Sequence, residues 1–370
     1  MEISSSLESI QENEEEFWAT TFRPRDWVIQ RIESMIEKII SDIAIGIPPV
    51  INSVSNASRK EESHSGYDVR NGIIRRKNNK RDIKKISFLG SKSTRGFVIF
   101  VRILDICHEL LIQGVTATKR DIYYKDVQLF GSQHTVDQAI EELACLFRVP
   151  RACLNVTVSA KGLVAGNLKI YQKDKSLLDC TAISSMGTLI PTMDLIENIL
   201  FFPFFFNVIY HYMNSENSLM ATFQYLLSSG IFERFGPCVL ITGKGYPDIA
   251  TRQLVKQLSE YRKQHESKEC EYENSRIEIP ILGFFDNDPY GIEILSIYKY
   301  GSQAMSFDNG NLATTNIKWI GLHCIDWKRD EICRTLYTGK KAEMQSLCYR
   351  ENMDLLNYLK SKIMNPQTWL

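Results

Sequence analysis

From residue 238 onward the sequence alternates short apolar runs with amphipathic stretches, and few architectures accommodate that order. CVLIT (238–242), IPILGFF (279–285) and IKWIGL (317–322) each have the length and composition of a strand buried on both faces. Between them, residues 249–262 space Ile249, Leu254, Val255, Leu258 and Tyr261 along one helix face, and Gly291 to Tyr300 forms a second helical stretch. Strands that alternate with helices predict a mostly parallel sheet covered by helices. Such open sheets bind their ligands beyond the carboxyl ends of the strands, so the turns after these runs are where chemistry is expected.

Two of those turns carry suggestive residues. Asp286-Asn287-Asp288 follows one strand, and paired carboxylates of this spacing suit a hard, oxygen-preferring cation such as Mg²⁺. An EF-hand loop is excluded, because its twelfth position is Ile297 instead of Glu, Pro289 interrupts it and a strand precedes it. Taken alone, such a pair is more often a solvated turn. Thr242-Gly243-Lys244-Gly245-Tyr246-Pro247 follows another strand and is Gly-rich and basic, so it is able to approach phosphates. It lacks the spacing of a Walker loop, and in isolation it reads as a tight turn.

Upstream, three helical patterns follow in quick succession. Residues 96–113 put Phe97, Phe100, Val101, Leu104, Cys107 and Leu111 on one face. Thr118 stands three residues before Asp121 at the start of KRDIYYKDVQLF, and Thr135 stands three before Gln138, so both read as capping boxes. Val136, Ile140, Leu143 and Phe147 line the third helix. LNVTVSA (154–160) and LKIYQ (168–172) then alternate as strands around a turn in KGLVAGN. Three helices followed by a two-stranded wing predict a winged helix-turn-helix, with its third helix suited to a major groove. Tyr123–Tyr124 lies on the second helix, after Arg120 and Asp121. A phenol attacks phosphorus only with help from a nearby base or cation, and among 16 tyrosines the ordinary reading of one pair is core packing.

The flanks are less specific. Trp27 to Ile45 reads as an amphipathic helix, either a peripheral packing element or a partner-docking one, ended by Gly46 and Pro48–Pro49. Residues 52–85 read as a polar linker, and RRKNNKRDIKK (75–85) within it as a nuclear-import or DNA-backbone patch or simply a solvated run. ILFFPFFFNVIYHYM (199–213) is shorter than the roughly 20 apolar residues a membrane span needs, so it reads as core or an irregular insertion. The nine cysteines are scattered without a C-x-x-C pair, which argues against a disulfide framework or zinc site. No secretory signal is visible, and a soluble intracellular protein is expected. The 44 basic and 44 acidic residues cancel, yet ten of the basic ones lie between Arg70 and Arg95 against the single acid Asp82. Zero net charge therefore does not exclude a nucleic-acid partner.

Taken in order, R-D-I-Y-Y, K-G-L-V-A-G, I-T-G-K-G-Y-P-D-I-A-T-R, D-N-D-P-Y-G-I-E-I-L and Y-K-Y-G-S form a distinctive series between about Gly96 and Gly321. The series resembles the meiotic double-strand-break transesterases, the eukaryotic relatives of the topoisomerase VI A subunit. The resemblance implies an α/β plus α+β protein in four parts. An N-terminal helical extension (1–50) and a basic linker (51–90) precede a CAP-like winged-helix domain carrying the nucleophile (91–180). A toprim domain with a mostly parallel sheet holding Mg²⁺ (181–370) follows.

Position by position, the resemblance implies that Tyr124 is the nucleophile with Arg120 beside it. Asp286 and Asp288 match the metal-binding acids. Lys161-Gly162 and the Gly243–Asp248 turn, with Lys244 and Gly245, match segments that line the DNA path. The family's toprim domain opens on V-E-K-[DE]-A-x-F-Q, of which Ala221-Thr222-Phe223-Gln224 is the remnant here. Counting back three residues places Ser218 where the family has the third metal-site Glu, and Glu216 is the nearest acid able to replace it. An altered stretch at 199–217 is therefore expected, as is a short C-terminus, because family members continue past the region matching Asn365–Trp369.

The activity implied is that of a Mg-dependent, type IIB (ATP-hydrolysing class) topoisomerase A-like subunit. It cuts double-stranded DNA as a homodimer, the tyrosine of one protomer serving the acids of the other, and leaves a 5′-phosphotyrosyl link that starts meiotic recombination. Meiotic accessory proteins and a topoisomerase VI B-like subunit are the implied partners, with the nucleus as compartment and no membrane contact. The competing expectation is a catalytically impaired form that only binds DNA or the partner.

Overall fold

The computed structural model describes residues 20–54, 65–69, 71–76, 83–89, 91–157, 160–181, 187–201, 208–211, 216–265, 280–321 and 355–369. The chain forms two compact units, Met1–Ser159 with Ser302–Gly310, and Ala160–Gly301 with Asn311–Leu370.

The first unit opens with helix α1 (Arg25–Ala44), which buries Val28 and Ile32 but leaves Ile40 and Ile43 in solvent. Ile36 and Ile39 between them are half-buried, so burial along the stripe weakens toward the C-terminal end of the helix. Strand β1 (Val50–Val54) pairs antiparallel with β4 (Ile83–Ser87), and β2 (Ser65–Asp68) pairs with β3 (Ile73–Arg76). The expected linker therefore carries two β-ladders. Its few apolar residues are placed where they count, since Ile51, Ile73 and Ile86 are all buried, and averaging composition over the stretch hides them. Residues 77–82 of the basic run lie outside the described residues.

Helix α2 (Ser91–Gln113) starts before the predicted position and buries Phe97, Phe100, Leu104, Cys107 and Leu111. After β5 (Ala117–Thr118) come α3 (Lys119–Lys125), α4 (Val127–Phe130) and α5 (Gln133–Phe147), with α2 and α3 both packed on α5. Val136, Ile140, Leu143 and Phe147 are buried as their spacing requires. The α5 cap differs from the predicted Thr135–Gln138 box. Gly131, at φ 70°, stops α4 and leaves Ser132 extended, and the Ser132 hydroxyl accepts the Thr135 N–H at 3.3 Å.

The predicted wing is not formed from its two segments. Of LNVTVSA only β6 (Val156–Thr157) is a strand, and it runs parallel to β5. LKIYQ becomes β8 of the second unit. Between them KGLVAGN is no turn: its LVAG is β7 (Leu163–Gly166), buried at every residue. The pull of four buried positions outweighs the turn signal of the flanking glycines.

In the second unit β8 (Leu168–Gln172) lies between β9 (Leu177–Asp179) and β11 (Ile196–Phe201) in an antiparallel sheet. The main sheet has six strands in the order β10-β7-β13-β12-β14-β15, namely β10 (Thr188–Leu189), β7, β13 (Val239–Thr242), β12 (Val208–His211), β14 (Ile281–Phe284) and β15 (Ile317–Gly321). The last four are mutually parallel, and β7 and β10 continue the sheet in antiparallel fashion. The mostly parallel sheet is thus as expected.

Helices α6 (Glu216–Ser228), α7 (Ile231–Phe235), α8 (Ile249–His265), α9 (Pro289–Tyr300) and α10 (Leu355–Ile363) complete the unit. β13 and β14 are buried at every residue, and Leu254, Val255, Ile294 and Leu359 pack into the same core. That is why these strands read as unbroken apolar runs. The Phe-rich run supplies the end of β11 and all of β12, and β12 is a central strand of the sheet. Among the described residues no helix is long and apolar enough to cross a membrane.

Candidate functional site

The tyrosine predicted as nucleophile sits on a short helix whose placement is heavily determined. Thr118 caps α3: its Oγ1 accepts the Asp121 N–H at 3.2 Å, and the Asp121 carboxylate accepts the Thr118 N–H at 2.9 Å. These reciprocal bonds form the capping box predicted there. Ile122 is fully buried and pins the helix inward, while Lys119 Nζ pairs with Glu141 at 2.9 Å and Asp137 at 3.6 Å on α5. Two residues beyond Ile122, Tyr124 points the other way and is 66% exposed. Arg120, one turn earlier, is exposed on the same face. Tyr123 is half-buried, with its ring 5.5 Å from that of Tyr124. Core packing therefore accounts for Tyr123 and not for Tyr124.

The cap has a measurable worth. Hydrogen bonds from the Thr118 backbone and side chain hold the Asp121 carboxyl below its usual range. A depressed carboxyl contributes above its unfolded value and loses that contribution as pH falls through its folded one, so the box is intact at neutral pH and fails only in acid. Thr118→Ala is expected to lower the unfolding free energy by about 1 kcal/mol at neutral pH, read as a lower urea midpoint with unchanged m. An unshifted midpoint would show that the helix does not depend on this cap.

The remaining predicted residues meet at one end of the six-stranded sheet. β14 delivers Asp286 and Asp288 just past its carboxyl end, at 2% and 8% exposure. Asp288 is the N-cap of α9, its Oδ1 accepting the Gly291 N–H at 2.7 Å. A Cβ on Gly291 would lie 2.1 Å from the Asp286 carbonyl oxygen, so only glycine lets this turn close.

β13 runs parallel with β14, and its carboxyl end leads into the Gly243–Asp248 turn on the same side. Lys244 (φ 49°) and Gly245 (φ 93°) are both left-handed there. β7 is antiparallel to β13 with Leu163 opposite Thr242, which brings Lys161 and Gly162 to the same end. Lys161 Nζ donates to the Lys244 carbonyl at 3.3 Å. The turn is also tied to α9, because the Tyr246 hydroxyl donates to Glu293. Beneath it, Tyr298 is buried, and burial with the nearby Asp248 charge pushes its phenol upward.

Asp248 entered the sequence reading only as the end of the Gly243–Asp248 turn, with no role of its own, and Glu293 was not singled out. Asp248 had a weak signal, as an acid immediately before a helix. Glu293 had none, since its partner lies 47 residues away.

The candidate third acid fares differently. Ser218, which the residue count set where the family has Glu, lies in the first turn of α6 and not at the end of a strand. β12 ends at His211, and no acid occurs between Glu197 and Glu216. Glu216 opens α6, and its side chain lies outside the described residues. Among the described residues no cluster of three or more acids, histidines or cysteines is placed to hold a metal. Asp286 and Asp288 are a two-carboxylate set, which fits Mg²⁺, an ion that takes one or two carboxylates and completes its shell with water and phosphate.

Comparison with known sequences covers both units. Residues 95–156 match the type IIB DNA topoisomerase family, and residues 219–267 and 268–333 match the toprim domain shared by Spo11 and the A subunit of topoisomerase 6. That second match starts at Leu219, immediately after Ser218. The chain is 35% identical over 316 residues to meiotic recombination protein SPO11 of Mus musculus, covering 84% of this chain and 72% of that protein. It is 34% identical over 305 residues to the Homo sapiens protein of the same name, covering 82% and 69%. Against the A subunit of DNA topoisomerase 6 from Arabidopsis thaliana the figures are 33% over 251 residues, 67% and 53%.

Proposed function

The chain belongs to the family of SPO11 proteins and type IIB topoisomerase A subunits, and from that membership we propose that it makes meiotic double-strand breaks in DNA by transesterification. The observation that supports the chemistry best is the exposure of Tyr124 on a capped, anchored helix, with Arg120 on the same face. In the proposed reaction Tyr124 Oη attacks a backbone phosphorus in line. The Tyr124 O–P bond forms as the P–O bond to the 3′-oxygen breaks, and the phenolic proton is lost to solvent or to a base. Arg120 offsets the negative charge that develops on the attacking and phosphoryl oxygens. The product is a 5′-phosphotyrosyl link, so bond energy is retained and the cut itself needs no nucleotide.

Asp286 and Asp288 would hold Mg²⁺. The chemistry available there, once the ion is bound, is neutralisation of charge on the phosphate and fixing of its orientation. Lys161 and Lys244, with the close-approaching backbone at Gly162 and Gly245, would contact neighbouring phosphates. A duplex has two antiparallel strands, so a two-fold homodimer suits one cut per strand. A winged-helix role for the α2–α5 helices, a topoisomerase VI B-like partner and a nuclear, chromosomal location complete the reading.

A second reading has its own observation in favour. β12 ends without an acid where the family has its third carboxylate, which favours a form that binds DNA without cutting it. One experiment separates the two. The full chain, purified with its B-like partner, is incubated with duplex DNA and Mg²⁺, denatured, digested and examined for protein-linked oligonucleotides. Adducts that disappear on chelation are expected. A folded, DNA-bound complex that yields none sinks the cleavage reading and leaves the binding one.

A further inference from the structure

We propose that Asp248 is a positioning residue that assembles Lys161 and Lys244 into a single phosphate-contacting clamp; the proposal rests on the reading above that these lysines meet DNA. Lys161 and Lys244 belong to segments more than 80 residues apart, and nothing local brings them together. The β7–β13 pairing brings them to one end of the sheet, and one buried carboxylate then ties the two segments together. Asp248 Oδ2 accepts the backbone N–H groups of Lys161 at 2.6 Å and Gly162 at 3.2 Å, while its Oδ1 accepts the Thr251 N–H at 2.7 Å.

The same side chain therefore starts α8, closes the turn that bears Lys244, and holds the entry to β7 against that turn. Hydrogen bonds to a charged, buried acceptor are the strong kind. The approach is also close: a Cβ on Gly162 would stand 2.0 Å from Thr251 Oγ1. With both segments held, the Lys161 ammonium reaches the Lys244 carbonyl and both cations sit at the sheet end that carries Asp286 and Asp288.

A carboxylate accepts through two oxygens and an amide through one. Asp248→Asn therefore keeps either the helix cap or the Lys161–Gly162 bonds, and turns an N–H₂ toward whichever donor is left. The test is binding of the full chain to a fluorescein-labelled duplex of mixed sequence, followed by anisotropy across a KCl series. The slope of log K against log salt should fall in magnitude by about 0.9 for each phosphate that the protein ceases to neutralise. Asp248→Asn should reproduce the smaller slope of the Lys161→Met/Lys244→Met variant, and adding it to that variant should change the slope no further.

A purely structural role for Asp248 would lower the melting temperature and leave the slope of the folded protein at its wild-type value, which overturns the proposal. Should the lysine variant itself keep the wild-type slope, the reading that these lysines meet DNA falls and the proposal with it. A second pair of variants leaves Asp248 in place. Gly162→Ala should displace the Lys161 segment by its clash with Thr251 and reduce the slope. Thr251→Ala, which removes a buried hydroxyl that has no hydrogen-bond partner among the described residues, should restore it. Failure of both the loss and the rescue also overturns the proposal.

Discussion

Tyr124→Phe is expected to eliminate protein-linked DNA while leaving the fold and DNA affinity in place. The substitution removes one oxygen from a side chain that is 66% exposed, so it empties no cavity and orphans no buried group. Changes at such surface positions generally stay within about 0.5 kcal/mol of the original stability. The ring persists 5.5 Å from Tyr123, and the Thr118–Asp121 cap and the Ile122 anchor are untouched. Only the atom that forms the bond to phosphorus is missing, so the loss of adducts should be complete and not graded. Denaturation, digestion and detection of protein-bound oligonucleotides reads this directly, with anisotropy on the same preparation as control. Adducts that persist at the wild-type level would transfer the chemistry to another nucleophile, with Tyr123 the first candidate.

The second large effect separates charge from architecture at the acid pair. Asp286→Ala and Asp288→Asn should each lower the cleavage rate by about 10²–10³-fold, the usual loss when one fixed stabiliser of transition-state charge is removed. Asp288→Ala should match Asp288→Asn in rate and also lose about 1 kcal/mol of stability. The reason is that Asp288 has two tasks. Its Oδ1 accepts the Gly291 N–H at the head of α9, and an asparagine oxygen can do the same, whereas alanine cannot. Urea midpoints and single-turnover cleavage across a Mg²⁺ titration distinguish the outcomes. Wild-type rates for both Asp286→Ala and Asp288→Asn would show that the reaction does not pass through this end of the sheet.

Much of this site is legible in the sequence. The capping box at Thr118, the unbroken apolar runs of β13 and β14, and the acids immediately after β14 all depend on interactions within a few residues, where backbone geometry ties spacing to shape. The failures are of another kind. LVAG reads as turn because its neighbours are glycine, and it is a strand because the second unit buries all four of its residues. The 199–213 run reads as core or an insertion, and where it is described the core alternative holds, since β12 is a central strand of the main sheet. Counting along the chain puts Ser218 where the family has its Glu, and that position lies in the first turn of α6.

What the sequence determined by itself was the local grammar: which residues start helices and which runs are buried on both faces. These follow from hydrogen bonds and periodicities spanning one or two turns of chain. What only the tertiary structure decided was juxtaposition. Lys161 meets Lys244 because β7 pairs antiparallel with β13 and Asp248, at the end of the turn that bears Lys244, accepts from Lys161 and Gly162. Tyr246 meets Glu293 because β13 and β14 run parallel, so the chain leaves both strands at the same end. Strand order and direction are set by the summed burial of a whole core, and no stretch of a few residues contains that sum.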